Sequence, residues 1–116
     1  MKTSELIGPA LDWAVAKASD TVVRWQKYFI TTTIITYISD WDDADEYCPS
    51  TNWPQGGPII EREGIQLHVN EARTEWLASC WGYPRQQYGP TPLIAAMRCF
   101  VASKLGSEVD VPMELV

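Results

Sequence analysis

Residues 91–106 read as one helix with both ends marked. Thr91 offers a capping hydroxyl, Pro92 suits a first turn where its missing N–H has no partner to lose, and Gly106 stops the run. Between them Leu93, Ile94, Met97, Val101 and Leu105 recur at helical spacing, so a face of this helix must be buried. A second helix is expected over residues 4–18. Ser4 can cap it and Glu5 suits its first turn, while Pro9 removes a backbone donor and can itself mark the true start. A short third helix is expected over 58–63, opened by Pro58 and closed by Gly64.

The residue types between these helices are those of strands. From Val22 to Ile38 the chain is dense in Val, Ile, Thr, Trp, Tyr and Phe, which lose rotamer freedom in a helix and pack well on a pleated surface. Strands are predicted over 22–27 and 31–38. A third, over 65–69, follows from the alternation of Ile65, Leu67 and Val69 with Gln66 and His68. A fourth, over 75–81, places Trp76, Ala78 and Cys80 on one face. Residues 47–57 and 84–89 are expected as loops, the first carrying Pro49, Pro54 and Gly56-Gly57. The pattern is α+β: a single domain over 1–116, with an antiparallel sheet of three to five strands flanked by two longer helices and one short one.

Charge narrows the partners. Nine Lys and Arg against fifteen Asp and Glu give a net charge of -6, which works against binding nucleic acid or an anionic membrane. No apolar run is long enough to span a bilayer, and no basic-then-apolar leader opens the chain. Three cysteines without paired spacing suit reduced thiols in a cytosol.

The usual constellations of catalysis are missing from the sequence. His68 is the sole histidine and has no motif around it, so no Ser-His-Asp or Cys-His arrangement stands without it. Cys48, Cys80 and Cys99 are 32 and 19 residues apart, which is no zinc spacing. The acidic run from Asp40 to Glu46 fails as a calcium loop, because the glycine and glutamate places hold Asp45 and Thr51. No glycine-rich nucleotide-binding motif occurs. The chain is therefore expected to be no enzyme, with no metal and no cofactor. Carboxylate chemistry from Glu61 and Glu63, as a small hydrolase acting on nucleotides, is the alternative that needs no motif.

Aromatic content is the anomaly. Six Trp and five Tyr exceed what one small core needs. Trp13, Trp25 and Trp76 have core spacing, whereas Trp41, Trp53 and Trp81 fall in or beside loops with Tyr47, Tyr83 and Tyr88 nearby. Interleaved with Asn52, Arg62 and Arg85, these either form a stacking pocket or a protein-binding surface, or they lid the core. A homo-oligomer, most simply a twofold dimer, would hide part of them.

Three stretches carry a resemblance. They run from Glu5-Leu6 through Leu11-Asp12-Trp13-Ala14-Val15-Ala16-Lys17-Ala18, from Tyr47-Cys48-Pro49-Ser50-Thr51-Asn52-Trp53 through Gly56-Gly57-Pro58-Ile59-Ile60-Glu61-Arg62-Glu63, and from Gly89-Pro90-Thr91-Pro92 to Met97-Arg98. Together they resemble the NinX family of lambdoid bacteriophages, small accessory proteins of the nin region. The resemblance implies phage origin and a place in the cytoplasm of an infected bacterium. The family is a domain of unknown function, so it implies no reaction.

Two readings of function follow. In the first, the protein holds a small anionic nucleotide-like signal molecule as a counter-defence measure. Trp53 would stack on the ring, with Asn52 beside it as a further ligand-binding residue, Arg62 and Arg98 would meet the phosphate, and the N–H groups from Gly57 to Ile59 would seat the anion. Gly89 and Thr91 would furnish a second seat at the start of the last helix. In the second, the acidic run and Trp41 bind a basic patch on a host bacterial protein and inhibit it.

Overall fold

A computed structural model describes residues 1–21, 23–28, 31–36, 46–80 and 86–115, with backbone alone for 24–28 and 31–36. The helices are α1 (Gly8–Ala18), α2 (Trp53–Glu63) and α3 (Pro92–Leu105). The strands are β1 (Val23–Tyr28), β2 (Thr31–Thr36), β3 (Gln66–Val69), β4 (Trp76–Ser79) and β5 (Gln87–Gly89). The α+β class and the antiparallel pairing expected from the sequence both hold.

α3 occupies the centre. Leu93 to Met97 and Cys99 to Ala102 are all buried, so this helix is apolar nearly all round and not on one face alone. Its Ala95, Ala96 and Ala102 leave room for elements on several sides, and α1, α2, β3, β4 and β5 all pack on it. Phe100 is the largest fully buried side chain among the described residues, and burial of such a ring contributes about 1.5–3 kcal/mol. Around it lie Leu6, Leu11, Val15, Ile59, Ile65 and Ala78. Trp13 and Trp76 pack on this core half-buried, as their spacing implied. His68 stands exposed on β3, opposite Leu77.

The N-terminal segment closes the last helix. Thr3 is fully buried, its hydroxyl donates to Gly106 O at 2.7 Å, and its N–H donates to Ser107 O at 2.9 Å. The chain start thus pairs with the two residues that follow α3 and fixes the path of the chain beyond its last turn.

Four details differ from the sequence expectation. The first helix begins at Gly8, and Ser4 lies in a separate 3-10 turn (Thr3–Glu5) where it caps nothing. Pro9 explains this: it belongs in a first turn, and Gly8 at φ +60° makes the bend that leads into it. The middle helix begins at Trp53, and Pro58 lies inside it. Asn52 caps it and Pro54 falls in its first turn, while Pro58 forfeits only one hydrogen bond in a helix held by its packing on α3. Residues 87–89 form a short strand in what reads as a polar loop, with Leu77 opposite Tyr88. Three residues are too few to show a period. Finally, the strands split into two sheets, a β1–β2 ribbon and a β3–β4–β5 sheet.

Candidate functional site

Two helix starts meet at one groove of about 260 Å³, lined by Ser50, Thr51, Trp53, Thr91, Pro92, Leu93 and Ile94. The local sequence builds both starts alike. Asn52 Oδ1 accepts from Gln55 N at 3.2 Å, and Thr91 Oγ1 accepts from Ile94 N at 3.1 Å. Proline follows in each first turn, as Pro54 and Pro92. The loop before α2 is held by Gln55, whose Oε1 accepts from Cys48 N at 2.6 Å and whose Nε2 donates to Glu46 O at 2.7 Å.

Behind the groove sits Asp12. Its carboxylate is buried and accepts a hydrogen bond from Ser50 N at 2.9 Å. Burial, only partly offset by the Ser50 contacts, pushes its pKa up to about 6. Ser50 Oγ is itself buried and has no hydrogen-bond partner among the described residues. Nearby, Tyr47 has its phenol pushed above the ordinary range by burial.

No Lys or Arg lines the groove, so its positive potential comes from backbone and is opposed by the Asp12 carboxylate behind Ser50. Each helix N-terminus carries about half a positive charge, and the prolines and caps leave one first-turn N–H open at each among the described residues, on Trp53 and on Leu93. Trp53 adds an indole that is 53% exposed. Helix starts plus an open aromatic can hold a planar group with an acidic end.

The seven residues singled out in the sequence are divided by the fold. Trp53 and Thr91 come together in the groove, with Asn52 beside them as the cap of α2. Gly57 is mid-helix, so the anion seat expected from Gly57 to Ile59 does not exist there: Pro58 has no N–H and the helix starts four residues earlier. Arg62 lies at the far end of α2, about 13 Å along its axis from Trp53. There it pairs with Glu63 at 3.2 Å and covers the Phe100 ring at 5.8 Å. Arg98 and Gly89 line a second hollow of about 390 Å³ with Tyr88 and Gln87. The Arg98 Nε donates to Leu6 O at 2.8 Å and a terminal nitrogen donates to Tyr88 O at 2.7 Å, so the guanidinium braces three segments.

A larger hollow, about 490 Å³, lies beside Trp13 and Val23. Its lining holds one cation, Lys17, and one anion, Asp20, and Lys17 already covers the Trp13 ring at 5.5 Å, so that ring is less open to stacking than Trp53. Glu61 is exposed, Glu63 is paired with Arg62 and Lys104, and neither lines any of these hollows. Most of the acidic run (40–45), Trp41, Trp81, Tyr83, Arg85 and the Trp25 side chain lie outside the described residues.

Sequence reasoning missed Ser50, Leu93, Ile94 and Asp12 as parts of this site. Asp12 had a signal: it shares a helical face with Val15 and Ala16, and an acid on an apolar stripe is out of place. No helix among the described residues is long and apolar enough to cross a membrane. No curated protein matches the chain. The family model described as Bacteriophage P22, NinX matches residues 2–104.

Proposed function

Because this chain belongs to the bacteriophage NinX family, we propose that it is a non-enzymatic phage accessory protein that binds a small, ring-bearing anion in the groove between α2 and α3. The observation that carries this reading is Trp53, an indole left 53% exposed beside two capped helix starts. A planar ring laid on it gains about 1–3 kcal/mol of stacking, and an acidic group gains from both helix dipoles. A volume of about 260 Å³ is below the usual range for whole ligands, so it takes one ring and its acidic end and leaves the rest of a larger molecule outside.

Nucleotide-derived signal molecules join a ring and a phosphate in one body. A phage protein that sequesters one in the cytoplasm of the infected bacterium would act as a counter-defence device. A homodimer belongs to the same proposal, because Ile7 and Tyr88 remain half exposed on the two segments that Arg98 ties together. Light scattering at high concentration should read a dimer, and a monomer rejects that part.

The test is a thermal-shift panel of cyclic and ADP-ribosyl nucleotides, repeated with Trp53→Ala. A ligand at a hundred times its Kd should stabilise by ~2.7 kcal/mol, and the variant should lose that shift. Chromatography of the same mixtures should return every nucleotide intact. No shift with any nucleotide, together with stoichiometric capture of one host protein, would replace the ligand reading with inhibition of that host protein.

A further inference from the structure

We propose that Cys80 and Cys99 are a redox-reactive pair, closing to an intramolecular disulfide between the end of β4 and the middle of α3 when the reduced protein meets a hydroperoxide. The atoms that would bond are already in contact: the Cys99 thiol donates to the Cys80 sulfur at 2.8 Å. The fold makes this meeting, because the two lie nineteen positions apart in sequence and β4 packs directly on α3. Cys48, the remaining cysteine, lies apart in the loop before α2, where its N–H is bonded to Gln55.

A lone buried cysteine behaves as a small apolar residue, but two in sulfur contact have a reaction open to them. The pair is also asymmetric. Cys99 is fully buried, whereas Cys80 keeps 8% of its surface and is the one a water-sized oxidant meets first. The hydrogen bond from Cys99 holds the Cys80 thiol below its ordinary range against the opposing effect of burial, with Lys104 adding to it, while Cys99 is held protonated.

The electrons balance in two steps. The Cys80 thiolate attacks one peroxide oxygen, the O–O bond breaks, an S–O bond forms, and the departing alkoxide or hydroxide takes up the proton that Cys80 released. Cys99 then attacks the Cys80 sulfur. The S–S bond forms, the S–O bond breaks, and the departing hydroxide leaves as water with the Cys99 proton. Two thiols have lost two electrons and two protons, and one peroxide has become an alcohol (or water) and water. The ring so closed contains β5 and the Thr91–Ile94 wall of the groove, which it holds against β4.

The reduced full chain is treated with hydrogen peroxide while folded, quenched, denatured and assayed for thiols. The count should fall from three to one, with an intact mass lower by two hydrogens and a linked peptide containing Cys80 and Cys99. The oxidised protein should melt higher, and a dithiol reductant should reverse the rise. Cys48→Ser should still lose two thiols, and Cys80→Ala should form no internal link. If Cys80→Ala does not fold, the linked peptide from the native chain decides alone. Three surviving thiols, a link to Cys48, a link between chains, or oxygen addition to Cys80 without closure would each overturn the proposal.

Discussion

The carboxylate of Asp12 accepts a 2.9 Å hydrogen bond from the backbone N–H of Ser50, joining α1 to the loop that starts α2 across 38 residues of sequence. Buried there, Asp12 has a pKa of about 6 against an ordinary 3.8. The folded state then holds this proton more tightly than the unfolded chain does. The stability contributed by this group is full below about pH 4, falls as pH climbs toward 6 and is flat above. The difference is roughly 3 kcal/mol. Asp12→Asn keeps an acceptor for Ser50 and removes the charge. It should raise stability at pH 7.5 and flatten the profile between pH 4 and 6, read as the variant-minus-native difference in urea midpoint.

The same carboxylate lies behind the proposed anion groove. A cyclic phosphodiester nucleotide, which does not itself titrate in this range, should bind more tightly as pH falls from 7.5 to 5.5. Asp12→Asn should bind with the tight constant throughout. Calorimetry at both pH values checks this, and equal pH dependence in the two proteins would separate Asp12 from the site.

Adjacent glycines in α2 should respond oppositely. A Cβ on Gly56 would meet Leu93 Cδ2 at 2.6 Å and crowd the Pro49 carbonyl, whereas one on Gly57 meets nothing within 4 Å. Gly56→Ala should cost about 1–3 kcal/mol or more through overpacking. Gly57→Ala should stabilise by about 0.4–1 kcal/mol, because alanine has less freedom to lose. Paired denaturation curves check both.

Arg98 should behave as a brace. Arg98→Ala removes two charge-assisted hydrogen bonds, to Leu6 O and Tyr88 O, and should cost about 2–3 kcal/mol. Arg98→Lys should recover only part, since an ammonium lacks the fork that spans two carbonyls. Urea midpoints of the three proteins give the ranking.

Trp53 and Thr91 should separate binding from folding. Trp53→Ala removes a half-exposed ring and should change stability by no more than about 0.5 kcal/mol while abolishing the ligand shift. Thr91→Ala loses the cap on Ile94 N and should cost about 1 kcal/mol, which Thr91→Ser restores. Melting with and without nucleotide distinguishes the two effects.

By itself the sequence determined α3 to its ends, because Thr91, Pro92 and Gly106 act through bonds and dihedrals within one turn of themselves. It also determined the α+β class and the strand character of 23–28, 31–36 and 66–69, since side-chain shape sets those preferences locally. It misplaced the start of α2, where Asn52 and the packing of Gly56 on Leu93 outweigh two glycines and a proline. Tertiary structure alone decided the rest. It brought Trp53 to Thr91, sent Arg62 and Arg98 elsewhere, set Asp12 behind Ser50 and placed Cys80 on Cys99. Each of those meetings joins residues far apart in the chain, and their positions are fixed by how α1, α2 and the sheet pack around α3, which local propensity does not encode.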